Sequence, residues 1–392
     1  MRVIVLGLLL IILSFIADVV IYRSMKRLFL KTKKIREIWI TQAILIPAFL
    51  VVIFTVTALW SIKYDTQLLI WSIFTFIALT LPKLIFLLYY LVGIFPFRKK
   101  DRIANTSATI GFIIGLTVFA LMLHGAIIGR YKLSVYAEQI ETARLPEAFE
   151  GLRIVQISDY HLGSLKNAPG FVKEVTEKIN SLQPDLIFFT GDLVTSTTAE
   201  AKPFLESLAG MKATYGVFSV LGNHDYGDYY IWNNETEKQE NFNEMFLLQK
   251  NAGWKLMNNE NFIIRKGSDS IVVMGVENWG EPPFGQHGDL KKATAGINPN
   301  SFAILMTHNP VHWNEEVIPQ SNIFLTLSGH THAMQIELGG FSPASARYPF
   351  WGGLYEDNGQ YLYVNRGLGY VFLPMRIGAY PEITLIELKR PD

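Results

Sequence analysis

The chain has no cysteine, which removes disulfides from its stability and thiolates from any metal site it builds. It also has almost no net charge, with 35 Lys+Arg against 34 Asp+Glu. That balance hides an asymmetry: residues 1–129 hold 14 Lys+Arg against 4 Asp+Glu, a net of +10, so the remainder carries −9. The last two thirds therefore lack the basic stripe that a nucleic-acid ligand requires, because neutralising phosphates supplies most of the affinity for a polyanion. No nucleic-acid partner is expected.

The first third lacks charge where it matters most. Four charge-poor apolar runs, at about 3–22, 38–60, 68–92 and 108–129, account for most of the positive mean hydropathy. Each has the roughly 20 residues a helix needs to cross a hydrocarbon layer. Pro47 and Pro82 interrupt two of them, which spanning helices tolerate. The first run shows no clear small-residue cleavage site and is followed by charge, so a retained anchor is expected rather than a removable signal. Arg23, Lys26, Arg27, Lys31, Lys33, Lys34 and Arg36 follow the first run, and Arg98, Lys99, Lys100 and Arg102 follow the third. Only Lys63 and Asp65 lie between the second and third. Basic loops stay in the cytoplasm, where they also meet anionic headgroups. The pattern predicts a multi-pass protein of the cytoplasmic (inner) membrane, with the lipid bilayer as partner and with the N-terminus and residues 131–392 on the extracytoplasmic side.

Five short segments of the remaining chain deliver hard metal ligands. They are Asp159 with His161, Gly191-Asp192, Gly222-Asn223-His224-Asp225, His308, and Gly329-His330-Thr331-His332. Each follows an apolar run of strand length: Leu152–Ser158, Leu186–Thr190, Val217–Leu221, Ala303–Met306 and Ile323–Leu327. Ligand groups gathered where strands end are how open α/β sheets build sites. In Asp159-Tyr160-His161 and His330-Thr331-His332 the ligands are two apart, and in an extended segment such residues project to one side. Asp192 is the natural carboxylate to bridge two cations, and Asn223 adds a neutral oxygen. A carboxylate, amide and imidazole set suits two divalent ions of Mn, Fe or Zn. Five of the eight histidines fall inside this pattern.

These motifs resemble those of the calcineurin-like metallophosphoesterases, and residues 131–392 resemble the membrane-associated branch of that family throughout. Gly151 to Ser158, Asn365-Arg366-Gly367-Leu368-Gly369 and the closing Pro381 to Ile386 add to the likeness. The resemblance implies an N-terminal four-helix transmembrane region plus an α/β catalytic domain of two stacked mixed β-sheets flanked by helices. Its expected boundaries are a four-span domain over 1–129, a linker and first strand over 130–150, and a metallophosphoesterase domain over 151–392. It also implies one metal on Asp159, His161, Asp192 and His332, and a second on Asp192, Asn223, His308 and His330. Hydroxide activated by those metals would attack phosphorus, His224 would stabilise or protonate the reacting oxygens, and Asp225 would orient the His224 ring. A domain tied to a bilayer is expected to act on a phosphodiester or pyrophosphate of a phosphorylated lipid or lipid-linked substrate. Some members of this branch cleave the pyrophosphate of UDP-2,3-diacylglucosamine in lipid A synthesis, an alternative that conflicts with an outward-facing domain because that substrate is cytoplasmic. A non-catalytic membrane scaffold would betray itself by a lost ligand, and none is lost.

Other residues carry weaker signals. Arg366 suits a grip on a non-reacting phosphate, or a structural ion pair. His312 is placed to touch substrate, or to cap the next helix. His124 reads as a packing residue and His287 as part of a solvated loop. Phe171, Val175, Ile179 and Leu182 recur at helical spacing and predict a strand-helix-strand unit. Strands are expected at Ile271–Val276, Trp351–Tyr355 and Tyr361–Val364, with Asp357-Asn358-Gly359 as a hairpin turn. Residues 226–250 form a substrate-facing lid or an ordinary surface helix with a solvated loop.

Overall fold

The computed structural model describes residues 12–23, 66–94, 101–281 and 285–391, with a few helical positions between 37 and 49. The chain divides into two compact units, Met1–Ile127 with Phe372–Met375, and Ile128–Val371 with Arg376–Asp392.

In the first unit, α1 (Thr66–Ile94) and α2 (Asp101–Ile127) pack against each other. Among the described residues, two helical stretches, Gln67–Gly93 and Thr106–Tyr131, are long and apolar enough to cross a membrane. Only 28% of each hydrophobic window is buried, and Leu68, Leu88, Ile113 and Leu116 stand exposed. A helix at the core of a soluble protein would bury such side chains. Lys83 on α1 pairs with Asp18 at 2.9 Å, as charges within apolar helices require. The expected run 3–22 is described only from residue 12, and most of 38–60 lies outside the described residues, as do Pro282, Pro283 and Phe284. Among the described residues His124 is exposed on α2.

The second unit holds two six-stranded mixed sheets. One runs β1 (Ser134–Glu141), β12 (Glu382–Lys389), β2 (Leu152–Ile157), β3 (Leu186–Phe189), β4 (Val217–Ser219) and β5 (Trp254–Leu256). The other runs β10 (Gly353–Asp357), β11 (Gln360–Val364), β9 (Leu325–Ser328), β8 (Ala303–Met306), β7 (Asp269–Gly275) and β6 (Glu260–Lys266). The central strands β2 to β5 and β7, β8, β9 and β11 are parallel; antiparallel pairs join β12 to β2, β6 to β7, and β10 to β11.

Parallel strands covered on both faces read as continuous apolar runs, and alternate residues sort them into layers. Leu152, Ile154, Leu186 and Phe188 meet Ile271, Val273, Ile304, Met306, Leu325 and Leu327 between the sheets. Val155, Ile157, Ile187 and Phe189 face the other way, under α3 (Pro169–Ser181) and α4 (Glu235–Asn251), which bring Val172, Val175, Ile179, Met245 and Leu248. Val272, Met274 and Leu305 pack outward against Leu290, Trp313 and Val317. The result is a helix, sheet, sheet, helix sandwich, as expected. Each buried Phe, Leu or Ile contributes about 1.5–3 kcal/mol of apolar transfer.

The strands end earlier than their apolar runs predict. Ser158, Thr190, Val220 and Leu221 lie past the ladders although each is fully buried, so burial rather than strand pairing explains their composition. The expected Ile323–Leu327 strand is observed as Leu325–Ser328, and Trp351–Tyr355 as Gly353–Asp357. The hairpin turn is present, with Asn358 and Gly359 at φ 54° and 76°, the twist that suits a two-residue hairpin.

Candidate metal centre

Every predicted ligand lies in a loop that leaves the C-terminal end of a parallel strand: β2, β3 and β4 of one sheet, β8 and β9 of the other. The sheets are tied beneath these loops by Gln156, whose buried amide donates to Ser328 O at 2.8 Å and to Thr190 Oγ1 at 3.1 Å. Loop backbones then lock together: Asp159 N donates to Gly191 O, His161 N to Asp192 O, and Gly329 N to His308 O.

The two-apart spacing does not work by extended pleat. Asp159, His161, Asp192, His330 and His332 have φ of 50°, 42°, 58°, 73° and 50°, the left-handed region that side chains other than glycine's avoid at a cost of about 1–3 kcal/mol each. Tight left-handed curls, stabilised by the locked loops, turn these side chains inward. Two motif glycines are fixed by crowding: a Cβ on Gly222 would collide with Asp192 Oδ1, and one on Gly329 with the Ser158 and Asp159 side chains.

The ligand atoms converge. His332 Nε2 lies 3.1 Å from His161 Nε2 and 3.2 Å from Asp159 Oδ1. Asp192 Oδ2 lies 3.4 Å from His161 Nε2 and 3.2 Å from His308 Nε2, between the two halves of the centre. In the second half, Asn223 Oδ1 is 3.1 Å from His308 Nε2 and 3.0 Å from His330 Nδ1, and those two nitrogens are 3.2 Å apart. Ligands about 2.0–2.2 Å from a shared divalent ion stand about 3.0–3.5 Å from one another, so the donor set fits metal. Three groups among the described residues each bring ligand atoms to within 4.8 Å of one another: Asp159, His161 and His332; His161, Asp192 and His224; and Asp159, Asp192 and His308.

Electrostatics favour a cation here. Burial disfavours the charge on Asp192, yet the facing His308 and His224 hold its carboxyl well below the ordinary carboxylate range. Burial alone would lower His308, but the Asp192 carboxylate pushes it up to about 9. Burial and the adjoining His308 bring His330 down to about 3, so at most one of these two rings is charged at neutral pH. His308 Nδ1 is held by Thr190 O at 2.8 Å; donation to that carbonyl leaves Nε2 as the ligating atom.

His224 sits at the rim of this cluster, edge-on to His161 with ring centroids 4.7 Å apart. Its Nδ1 is held by Thr195 O at 2.6 Å. Asp225 does not orient that ring, contrary to expectation. Its buried carboxylate turns to the backbone and accepts from the amides of Asp192, Leu193, Val194 and Gly222, knitting the β3 and β4 loops together.

Arg366 forms the ion pair. Its guanidinium is engaged by Glu337 at 2.6 Å and Glu382 at 2.9 Å and is nearly fully buried, which leaves it no free fork for a phosphate. His312 is also buried, with Nδ1 3.0 Å from Thr307 Oγ1, Nε2 3.3 Å from Glu316, and Trp279 stacked on its ring. It does not face solvent, and it stands at the N-cap of the following helical segment without a side-chain capping hydrogen bond. His287 stacks on Tyr226 at 4.4 Å.

Several residues that matter here escaped sequence reasoning. Tyr229 stacks on His224, Tyr348 stands edge-on to His330, and Arg376 Nη2 lies 3.2 Å from His332 Nδ1. Glu200 accepts from the amides of Gly163, Thr195, Ser196 and Thr197 and so shapes the loop that carries Thr195 O. The Thr197 to Glu200 spacing is a capping box, a signal that was readable. A carbonyl such as Thr195 O leaves no mark in a sequence.

Two mixed sheets with clustered Asp, His and Asn at the ends of their parallel strands are the architecture of a metallophosphoesterase domain, and comparison with known proteins agrees. The calcineurin-like phosphoesterase family matches residues 152–334. The chain is 30% identical over 259 residues to the metallophosphoesterase YkuE of Bacillus subtilis, covering 64% of this chain and 83% of that one. It is 30% identical over 299 residues to the UDP-2,3-diacylglucosamine pyrophosphatase LpxG of Chlamydia trachomatis, covering 62% and 86%. It is 30% identical over 291 residues to a transmembrane protein with metallophosphoesterase domain of Danio rerio, covering 71% of this chain and 62% of that relative. The chain thus spans about three fifths of that vertebrate relative's length. The chain belongs to the calcineurin-like phosphoesterase family.

Proposed function

We propose that the protein is a membrane-anchored, dinuclear phosphoesterase that hydrolyses a phosphodiester or pyrophosphate of a lipid or lipid-linked substrate. The observation that carries this reading is the placement of Asp192 Oδ2 between two groups of ligand atoms. Asp159, His161, Asp192 and His332 would hold one ion, and Asp192, Asn223, His308 and His330 the other. Two bound cations supply the charge that lowers the proton affinity of an attacking water and draws electrons from phosphorus. The chain's own part is orientation and proton transfer. Thr195 O fixes His224 Nδ1, so Nε2 is the atom that, once it has taken up a proton from solvent, passes it to the departing oxygen. Asp225 and Glu200 hold the loops that set this geometry.

The membrane assignment is supported by the two apolar, largely uncovered helices and by the transmembrane relative. We place residues 1–129 as a four-span domain, 130–150 as a linker with the first strand, and 151–392 as the catalytic domain on the extracytoplasmic side, from the basic loops. A periplasm-dependent reporter fused after Asp392 should be active; activity of a cytoplasm-dependent fusion there would reverse the topology.

The LpxG relative favours a second reading, a hydrolase of UDP-2,3-diacylglucosamine. The deciding experiment gives the full chain in detergent Mn²⁺, bis-p-nitrophenyl phosphate, lipid phosphodiesters and that nucleotide-lipid, with elemental analysis of the preparation. Two ions per chain and turnover of lipid diesters are expected. Far faster turnover of the nucleotide-lipid would replace the first reading with the second, and a chain holding no ion would sink both.

A further inference from the structure

We propose that Tyr229 is a positioning residue that sets Asn223 through its hydroxyl and His224 through the face of its ring. The inference rests on the reading of Asn223 as a ligand and His224 as a proton donor. An asparagine amide has two unlike ends, and only the oxygen can face a cation. Asn223 Nδ2 donates to Tyr229 Oη at 2.8 Å, which turns Oδ1 toward His308 Nε2 and His330 Nδ1. With that acceptor removed, the amide is free to swing and present its NH₂ to the ion.

The same tyrosine ring lies flat on His224, with centroids 4.0 Å apart and planes 13° from parallel. Thr195 O holds one edge of the imidazole and His161 meets it edge-on, so the tyrosine supplies the remaining wall. The return of the chain to this position is built in. Gly227 is left-handed at φ 75°, Trp232 Nε1 donates to Gly227 O at 2.8 Å, and Asp228 pairs with Lys238 at 2.6 Å. The segment after Gly-Asn-His-Asp is thus a tied turn that delivers one aromatic side chain to two neighbouring functional residues.

The test compares Tyr229→Phe and Tyr229→Leu in the full chain. Tyr229 is 40% exposed, so both variants should fold, and a melting curve checks this. Calorimetric titration with Mn²⁺ reads the hydroxyl's part independently of turnover. Tyr229→Phe should weaken one of the two ions by about tenfold, the lower end of what outer ligands contribute, and excess Mn²⁺ should restore activity. Tyr229→Leu should in addition slow diphenyl phosphate, whose leaving group needs a proton, by about tenfold or more relative to bis-p-nitrophenyl phosphate, whose leaving group does not. Unchanged Mn²⁺ affinity in Tyr229→Phe overturns the hydroxyl's role, and unchanged leaving-group dependence in Tyr229→Leu overturns the ring's. A wild-type chain that binds two ions but turns over neither ester refutes the proposed function, and the titration then still decides the Asn223 contact.

Discussion

Asp192→Asn should bind fewer than two ions per chain and lose about 10³-fold or more in kcat, because a metal pair contributes several kcal/mol of charge stabilisation and each 1.36 kcal/mol is a decade in rate. The substitution is nearly isosteric, so the fold should survive. The amide can still accept from His224 N, as Asp192 Oδ1 does at 2.9 Å, but it removes the charge facing both His161 and His308. The imidazole of His308, now pushed up to about 9 chiefly by this carboxylate against its burial, should fall. Metal content by elemental analysis and turnover of bis-p-nitrophenyl phosphate give the readout. A variant with full activity would mean that Asp192 bridges nothing. A cell in which the inactive variant replaces the natural chain without consequence would favour a scaffold over an enzyme.

Candidate ligands were legible in the sequence because metal chemistry restricts residue type, and a ligand must follow a buried strand to reach a shared point. Asp159, Asp192, Asn223, His308 and His330 could be picked out on those two facts alone. The mechanism of convergence was not legible. Alternation along a strand predicts that Asp159 and His161 project together, whereas the structure uses left-handed backbone at both. Nothing in a side chain's identity announces that conformation when the residue is not glycine. Asp225 shows a second limit: the family resemblance implied a contact with His224, while four backbone amides from two loops compete better for its carboxylate. Arg366 shows a third, because its partners Glu337 and Glu382 lie 29 and 16 residues away and a carboxylate at such a distance carries no spacing rule.

The same limit hid the residue whose loss should harm the fold most. Arg376→Met should destabilise the catalytic unit by about 4 kcal/mol or more, and lower its melting temperature by roughly 10 °C for a unit of this size. Arg376 is completely buried, and burial pulls its guanidinium down to about 10, so it remains charged at neutral pH. Most of its hydrogen bonds go to carbonyls rather than to a carboxylate: Nε to Gly369 O at 2.8 Å, Nη1 to Ala379 O at 2.8 Å, and Nη2 to Gly369 O at 2.5 Å and Arg366 O at 2.9 Å. Those carbonyls belong to the Asn365 to Gly369 turn and to the approach to β12. Methionine fills much of the volume but abandons three buried acceptors, each costing about 1–3 kcal/mol when left unpaired. Lysine retains the charge without the fork, and Arg376→Lys should recover less than half of the loss. The effect should also reach the metals. Nη2 lies against His332 Nδ1, and Gly367, within the turn that Arg376 holds, packs so close to Asp159 and His332 that an added Cβ would collide with Asp159. Weaker binding of the ion held by Asp159, His161 and His332 should therefore accompany the lower melting point. If melting falls while the Mn²⁺ titration is unchanged, Arg376 supports the sandwich alone and His332 is held in place by its own loop.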